Sequence, residues 1–202
     1  MTMLELVKHL NFAVVVLFTL LYLYQGFYVV VGLVRRRWQD RHQPSRLHRF
    51  AVIVSARNEE GVIGELLESL NRQNYPKELL DLYVVADNCT DDTSDIARSA
   101  GATVYERFNN VQVGKGYALQ TLLGHLEQDY PAGFDGYFVF DADNILDPDY
   151  IAAMNRTFSQ GHDIVTSYRN SKNYGDNWIS AGYALWFLRE SRYLNHARSL
   201  LG

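Results

Sequence analysis

One cysteine in 202 residues, Cys89, excludes an intramolecular disulfide framework and leaves a cysteine-rich zinc site without ligands. The six histidines show no metal-ligand spacing, and neither an internal repeat nor a low-complexity tract is present. Formal charge is missing altogether from Leu10 to Val34, 25 residues dominated by Val, Leu, Phe and Tyr. At about 1.5 Å per residue such a run can cross a hydrocarbon layer of roughly 30 Å. A secretory signal would carry an apolar core of about 7 to 15 residues followed by a small-residue cleavage site, whereas this run stops at Arg35-Arg36-Arg37-Trp38. A buried core helix is the competing reading, but core helices in domains of this size rarely need that length. Gly26 and Gly32 do not form a Gly-x-x-x-Gly pair, so the run carries no such dimerisation motif.

The charge that is present is unevenly spread. Residues 1–34 are neutral, residues 35–49 carry a net +5 from six Arg and one Asp, and residues 50–202 carry a net −9. Positive residues stay cytoplasmic. The collar therefore predicts an N-terminus outside, a single pass through a cell (inner) membrane, and a cytosolic remainder. The collar also suits contact with anionic lipid headgroups. With 48% hydrophobic and 21% charged residues the remainder reads as globular. The expected organisation is an anchor over residues 1–37, a linker over 38–48 marked by Pro44 and Ser45, and one domain over 49–202.

Within that domain short apolar runs alternate with stretches of helical spacing. Strands are predicted over Phe50–Ser55, Leu82–Ala86, Thr103–Glu106, Tyr137–Phe140 and Ile164–Ser167. Helices are predicted over Glu60–Gln73, Thr90–Ala100, Lys115–Asp129 and Pro148–Ser159, with a long helical stretch beyond Asn177. Strands alternating with helices imply an α/β fold with a mostly parallel sheet covered on both faces. In such sheets ligands bind beyond the carboxyl ends of the strands. Those ends are unusually polar here: Ser55-Ala56-Arg57-Asn58-Glu59-Glu60, Asp87-Asn88-Cys89-Thr90-Asp91-Asp92, Asn109 to Gly116 with Gly114-Lys115-Gly116, and Asp141-Ala142-Asp143. Asp141 and Asp143 are two apart and can aim to one side of the chain, where hard carboxylate oxygens suit Mg²⁺ or Mn²⁺. Mg²⁺ usually takes only one or two carboxylates and fills its remaining positions with water and substrate phosphate.

Taken together these segments resemble family 2 glycosyltransferases. Val139-Phe140-Asp141-Ala142-Asp143-Asn144 is similar to their Asp-x-Asp signature, and Val84 to Thr93 is similar to their second-strand nucleotide loop. Ala56-Arg57-Asn58-Glu59-Glu60 resembles the loop after their first strand, and Gly114-Lys115-Gly116-Tyr117-Ala118-Leu119 is a fourth match in the right order. The resemblance implies the GT-A fold, a Rossmann-like nucleotide-diphospho-sugar domain, and points toward processive synthases of the cellulose, chitin or poly-N-acetylglucosamine kind. It implies a UDP-sugar donor, glucose or N-acetylglucosamine, with a glycan acceptor and membrane lipid as further partners and no nucleic acid. Carried over by position, Asp87 would accept from the base and Arg57 and Glu59 would line base and ribose. Lys115 would meet the diphosphate, Asp141 the ribose or sugar together with the metal, and Asp143 the metal.

Two departures leave these groups in place: Ser55 stands where Pro is frequent, and Ala86 where many members carry the first of two acids. A larger one concerns catalysis. Inverting transfer needs a carboxylate base, and the acids after Asp149 are only Asp163, Asp176 and Glu190, none in the family's acidic motif; Gln-x-x-Arg-Trp is also missing. The resemblance therefore implies a base beyond residue 202 and a chain that ends early. Two other readings stand beside this one. A non-catalytic sugar-nucleotide-binding remnant would keep the same donor residues. A haloacid-dehalogenase-type phosphatase also places Asp-x-Asp after an apolar strand, normally the first.

Overall fold

The computed structural model describes residues 2–35 and 45–201. Most of the basic collar and of the expected linker, residues 36–44, lies outside the described residues. The chain divides into two compact units, one of residues 44–165 and the other of residues 1–43 with 166–202.

The first unit is built on a four-stranded sheet in the order β3-β2-β1-β4. Its strands are β1 (Phe50–Ala56), β2 (Leu80–Asp87), β3 (Thr103–Arg107) and β4 (Gly136–Asp141), and all three pairings are parallel. Parallel neighbours require a crossover between them. Helices α2 (Ile63–Asn71), α3 (Thr93–Ser99) and α4 (Lys115–Asp129) supply these connections, and α5 (Tyr150–Phe158) follows β4. Because β1 is central its side chains are buried on both faces. Phe50, Val52, Val54 and Ala56 meet Ile63, Leu66 and Leu67 of α2, Ala97 of α3 and Ile151 of α5. Ala51 and Ile53, with Tyr83 and Val85 of β2, meet Ala118, Leu122 and Leu126 of α4. The continuous Val/Ile/Ala run of β1 is thus what a strand covered twice requires.

Where the chain enters β1, Asp135 anchors it to the start of β4. Its carboxylate accepts from Arg46 at 3.0 Å and from the backbone N–H of Arg49 at 2.8 Å. Arg49 in turn reaches Asp81 at 3.0 Å and lies 4.9 Å from the centre of the Phe134 ring.

The second unit contains α1 (Met3–Arg35), α6 (Trp178–Leu188), a π-helical stretch (Arg189–Asn195) and α7 (His196–Leu201). By length and composition α1 can cross a membrane, over Met3–Val34. Asn177 caps α6, accepting from the N–H groups of Ile179 at 2.9 Å and Ser180 at 3.0 Å. Gln25 of α1 accepts from Arg189, and the Arg198 guanidinium lies 5.5 Å from the Tyr28 ring centre.

The predicted strand over Ile164–Ser167 does not form: these residues are irregular, and Ile164 is 88% exposed. β-branched side chains favour a strand only where neighbours exist to pack against, and among the described residues β4 pairs with β1 alone. Helices α2 and α3 begin three residues later than their sequence pattern suggests, because the residues before them are held in loop hydrogen bonds described below.

Leu122 is fully buried between α4 and the sheet, whereas Val139 on β4 is 51% exposed. Leu122→Ala should destabilise the chain by about 2–5 kcal/mol and Val139→Ala by about 0.5 kcal/mol. Denaturant unfolding followed by circular dichroism in detergent would measure both, and equal losses would contradict this account of the core.

Candidate active site

The register sets which residues share the carboxyl edge of the sheet. Ser55 pairs with both Val85 and Asp141, Ala56 with Ala86, and Asp87 with Arg107. Adjacent strands stand about 4.8 Å apart, so Asp87 and Asp141, two strands apart, are separated by on the order of 10 Å. Arg57 and Glu59 follow β1 between them.

The loops after β1 and β2 are joined to each other. Asn58 and Asn88 both adopt left-handed backbone conformations, with φ of 56° and 54°, which Asn tolerates better than most residues. The Asn58 side-chain oxygen accepts from the Thr90 N–H at 2.8 Å. Thr93 is fully buried and its hydroxyl works in both directions, accepting from the Glu59 N–H at 2.8 Å and donating to Asp91 at 2.6 Å. Asp91 also accepts from the Glu60 N–H, while the Glu60 carboxylate accepts from the Asp92 N–H, both at 3.2 Å. The Thr93 hydroxyl, helped by backbone N–H groups, holds the Asp91 carboxyl below its ordinary value. These bonds leave Arg57 exposed and Glu59 half-buried on the outer side of the joined loops.

At the end of β2, Asp87 is buried and paired with Arg107 at 2.6 Å. The same guanidinium donates to the backbone oxygen of Gln112 at 2.7 Å and to the Thr121 hydroxyl at 3.2 Å. At the end of β4 Ala142 turns into the core while Asp141 and Asp143 stay exposed. Asn144 steadies this turn, its side-chain oxygen accepting from the Asp141 N–H at 3.2 Å. Gly114, at φ 125°, turns the chain into α4 and starts it at Lys115, whose ammonium pairs with Asp141. Lys115 and Asp141 are therefore brought together, Asp143 lies two residues further, and Asp87 stands apart with Arg107.

Among the described residues no group of three or more His, Cys, Asp or Glu is placed to hold a metal ion. The two exposed carboxylates of Asp141 and Asp143 fit Mg²⁺ or Mn²⁺ only when a ligand supplies further oxygens, as phosphates do. Arg107 lies outside the motifs, and Asn58, Asn88 and Thr93 lie inside them without an assigned role; the structure gives each a part in holding the strand ends. The signal for Arg107 lies in the sequence all the same: a cation ends one strand where its neighbour ends in an acid.

A mannosyltransferase from Pyrobaculum calidifontis, solved in complex with GDP-Man and Mn²⁺, has a similar fold. The TM-score is 0.53 at 22% sequence identity, over 79% of this chain and 48% of that one. An α/β core of this kind with four polar strand ends is that of GT-A glycosyltransferases. The family described as "Glycosyltransferase like family 2" matches residues 48–200, and the chain belongs to it. Among curated relatives, the 4,4'-diaponeurosporenoate glycosyltransferase of Staphylococcus aureus is 44% identical over 66 residues, 33% of this chain and 16% of that protein. Procollagen galactosyltransferase 1-B of Xenopus laevis is 37% identical over 76 residues, 38% of this chain and 12% of that protein. The matched segments thus cover a small part of either relative's length.

The depressed Asp91 carboxyl carries a sign. It contributes stability above the ordinary carboxyl pKa of about 3.9 and loses it as pH falls through the lowered value. Thr93→Val removes the main cause, so the Asp91 midpoint should rise toward about 3.9 in a carboxyl NMR titration. An unmoved midpoint would assign the shift to the backbone donors.

Proposed function

We propose that these residues form the donor-binding part of an inverting, UDP-sugar-dependent hexosyltransferase of the processive-synthase kind. The support is the parallel register, which aligns the loop at Arg57 and Glu59, the Asp87 carboxylate and the Asp141–Asp143 pair on consecutive strand ends. In this reading Asp87 accepts from the uracil base, Arg57 and Glu59 line base and ribose, and Lys115 meets the diphosphate. Asp141 and Asp143 hold Mg²⁺ or Mn²⁺, which when bound supplies Lewis-acid stabilisation to a departing diphosphate. The donor is a glucose or N-acetylglucosamine nucleotide and the acceptor a glycan.

The Lys115–Asp141 pair is poised for exchange. Its side chains are 46% and 59% exposed, and exposed pairs of this type are worth about 0–1 kcal/mol. Opening it therefore costs little. On arrival of a diphosphate, Lys115 would turn to the phosphates and free the Asp141 carboxylate, which with Asp143 would hold the metal, so that carboxylate and diphosphate would not confront each other uncompensated. The phosphatase reading finds no support in this arrangement, since Asp141 ends the fourth strand, at a sheet edge, and the family match lies elsewhere. Donor binding is the activity assigned to these residues.

Calorimetry tests the site. UDP should bind in Mn²⁺ or Mg²⁺, and Asp143→Ala should abolish that binding; equal affinity in chelator would remove the metal assignment. We further place α1 in a cell (inner) membrane with the N-terminus outside, on the asymmetry between the Arg collar and the lone Lys8. A reporter fused after Gly202 should behave as cytoplasmic, and periplasmic activity of that fusion would reverse the orientation.

A further inference from the structure

One of the two Asp87 carboxylate oxygens is engaged within the chain. Both hydrogen bonds to its carboxylate end on Oδ1, from Arg107 Nη1 at 2.6 Å and from Asn88 Nδ2 at 3.2 Å. No donor among the described residues reaches Oδ2. Among the described residues no buried side-chain oxygen or nitrogen lacks a partner, so Oδ2 is not a sealed, unsatisfied atom although Asp87 as a residue is buried.

What fixes that orientation is itself fixed. Arg107 side-chain exposure is 7% and that of Asp87 is 4%, and the planar guanidinium spends its other donors on the Gln112 carbonyl and the Thr121 hydroxyl. Its backbone oxygen accepts from the Asn88 N–H at 2.7 Å. The Asn88 side chain then bonds Asn109 twice, accepting from its N–H at 2.8 Å and donating to its carbonyl at 3.1 Å. One cation thereby joins the end of β2, the loop that leads to Lys115 and the body of α4. A fork of five N–H groups can do this and a lysine ammonium cannot.

We propose that Arg107 is the positioning residue for base selection: it holds the Asp87 carboxylate with Oδ1 occupied and Oδ2 turned to the ligand. The proposal rests on the reading of Asp87 as the base contact. The chemistry that Oδ2 can recognise is a ring N–H donor next to a carbonyl, as in the N3–H of uracil. Cytosine has a bare N3 there, and a lone-pair donor facing a carboxylate is repelled. Discrimination between UDP and CDP thus reports the orientation of Asp87, which overall loop integrity does not.

The experiment measures UDP, CDP and pyrophosphate affinities of the full chain in detergent with Mn²⁺, for the unsubstituted protein and for Arg107→Lys, Thr121→Val and Asp87→Ala. Arg107→Lys keeps the charge opposite Asp87 but loses the fork. It should reduce the UDP over CDP preference by about tenfold or more, the worth of one well-aligned charge-assisted hydrogen bond, with pyrophosphate binding unchanged. Thr121→Val loosens only the Nε contact, carries the test if Arg107→Lys does not fold, and should reduce the preference by about 2–5-fold. Parallel weakening of all three ligands in Arg107→Lys, or an unaltered preference in Thr121→Val, overturns the positioning role. Equal affinity for UDP and CDP in the unsubstituted chain, or a preference that survives Asp87→Ala, overturns the reading of Asp87 and this proposal with it.

Discussion

The parallel pairing of β1 with both β2 and β4 is the constraint on which the rest of the residue 44–165 unit depends. Parallel strands cannot be joined by a tight turn, so each connection must leave from the carboxyl edge, cross a face as a helix and return. Every loop that departs from that edge is consequently gathered on one side. The Asn58–Thr90 and Glu59–Thr93 bonds join the first two of these loops, and Lys115 at the start of α4 closes on the fourth strand end at Asp141. Central burial of β1 makes the frame stiff, because its two faces belong to two different hydrophobic clusters.

Two ion pairs sit on this edge and differ in kind. Asp87 and Arg107 are withdrawn from water, where removing one partner leaves an uncompensated charge and is strongly destabilising. Lys115 and Asp141 are solvated, and their separation is nearly neutral. The first is a fixture and the second an exchangeable contact. In the proposed reading the first would hold one end of the donor in a set orientation and the second would give way to the other end.

Much of this was readable before any coordinates. The helix expected over Lys115–Asp129 has those bounds in the structure, where Gly114 turns the chain ahead of it and Ala118, Leu122 and Leu126 form its buried stripe. The four strands of the sheet are legible as short runs rich in β-branched and aromatic residues, and the structure leaves both acids of the Asp-x-Asp spacing exposed with Ala142 buried between them. What failed was the strand at Ile164–Ser167, where local propensity had no lattice of neighbours to express itself on. Thr93 lies in the second-strand loop without a role that the motif assigns and Arg107 lies outside the motifs, because their importance comes from partners 34 and 20 residues away, which a short-range pattern does not specify. The role expected of Asp87 comes from the resemblance of the loop that contains it, and that motif does not reach its buried partner Arg107.

The β4 strand has one flank without a ladder partner among the described residues, and its Tyr137 and Val139 side chains are about half exposed. Backbone groups along such a flank accept any extended segment, from the same chain or from another copy. In the test tube this is a colloidal matter as much as a structural one. Any association along β4 would grow with concentration by mass action, so a dilute sample and a crowded one would present different surfaces to the solvent.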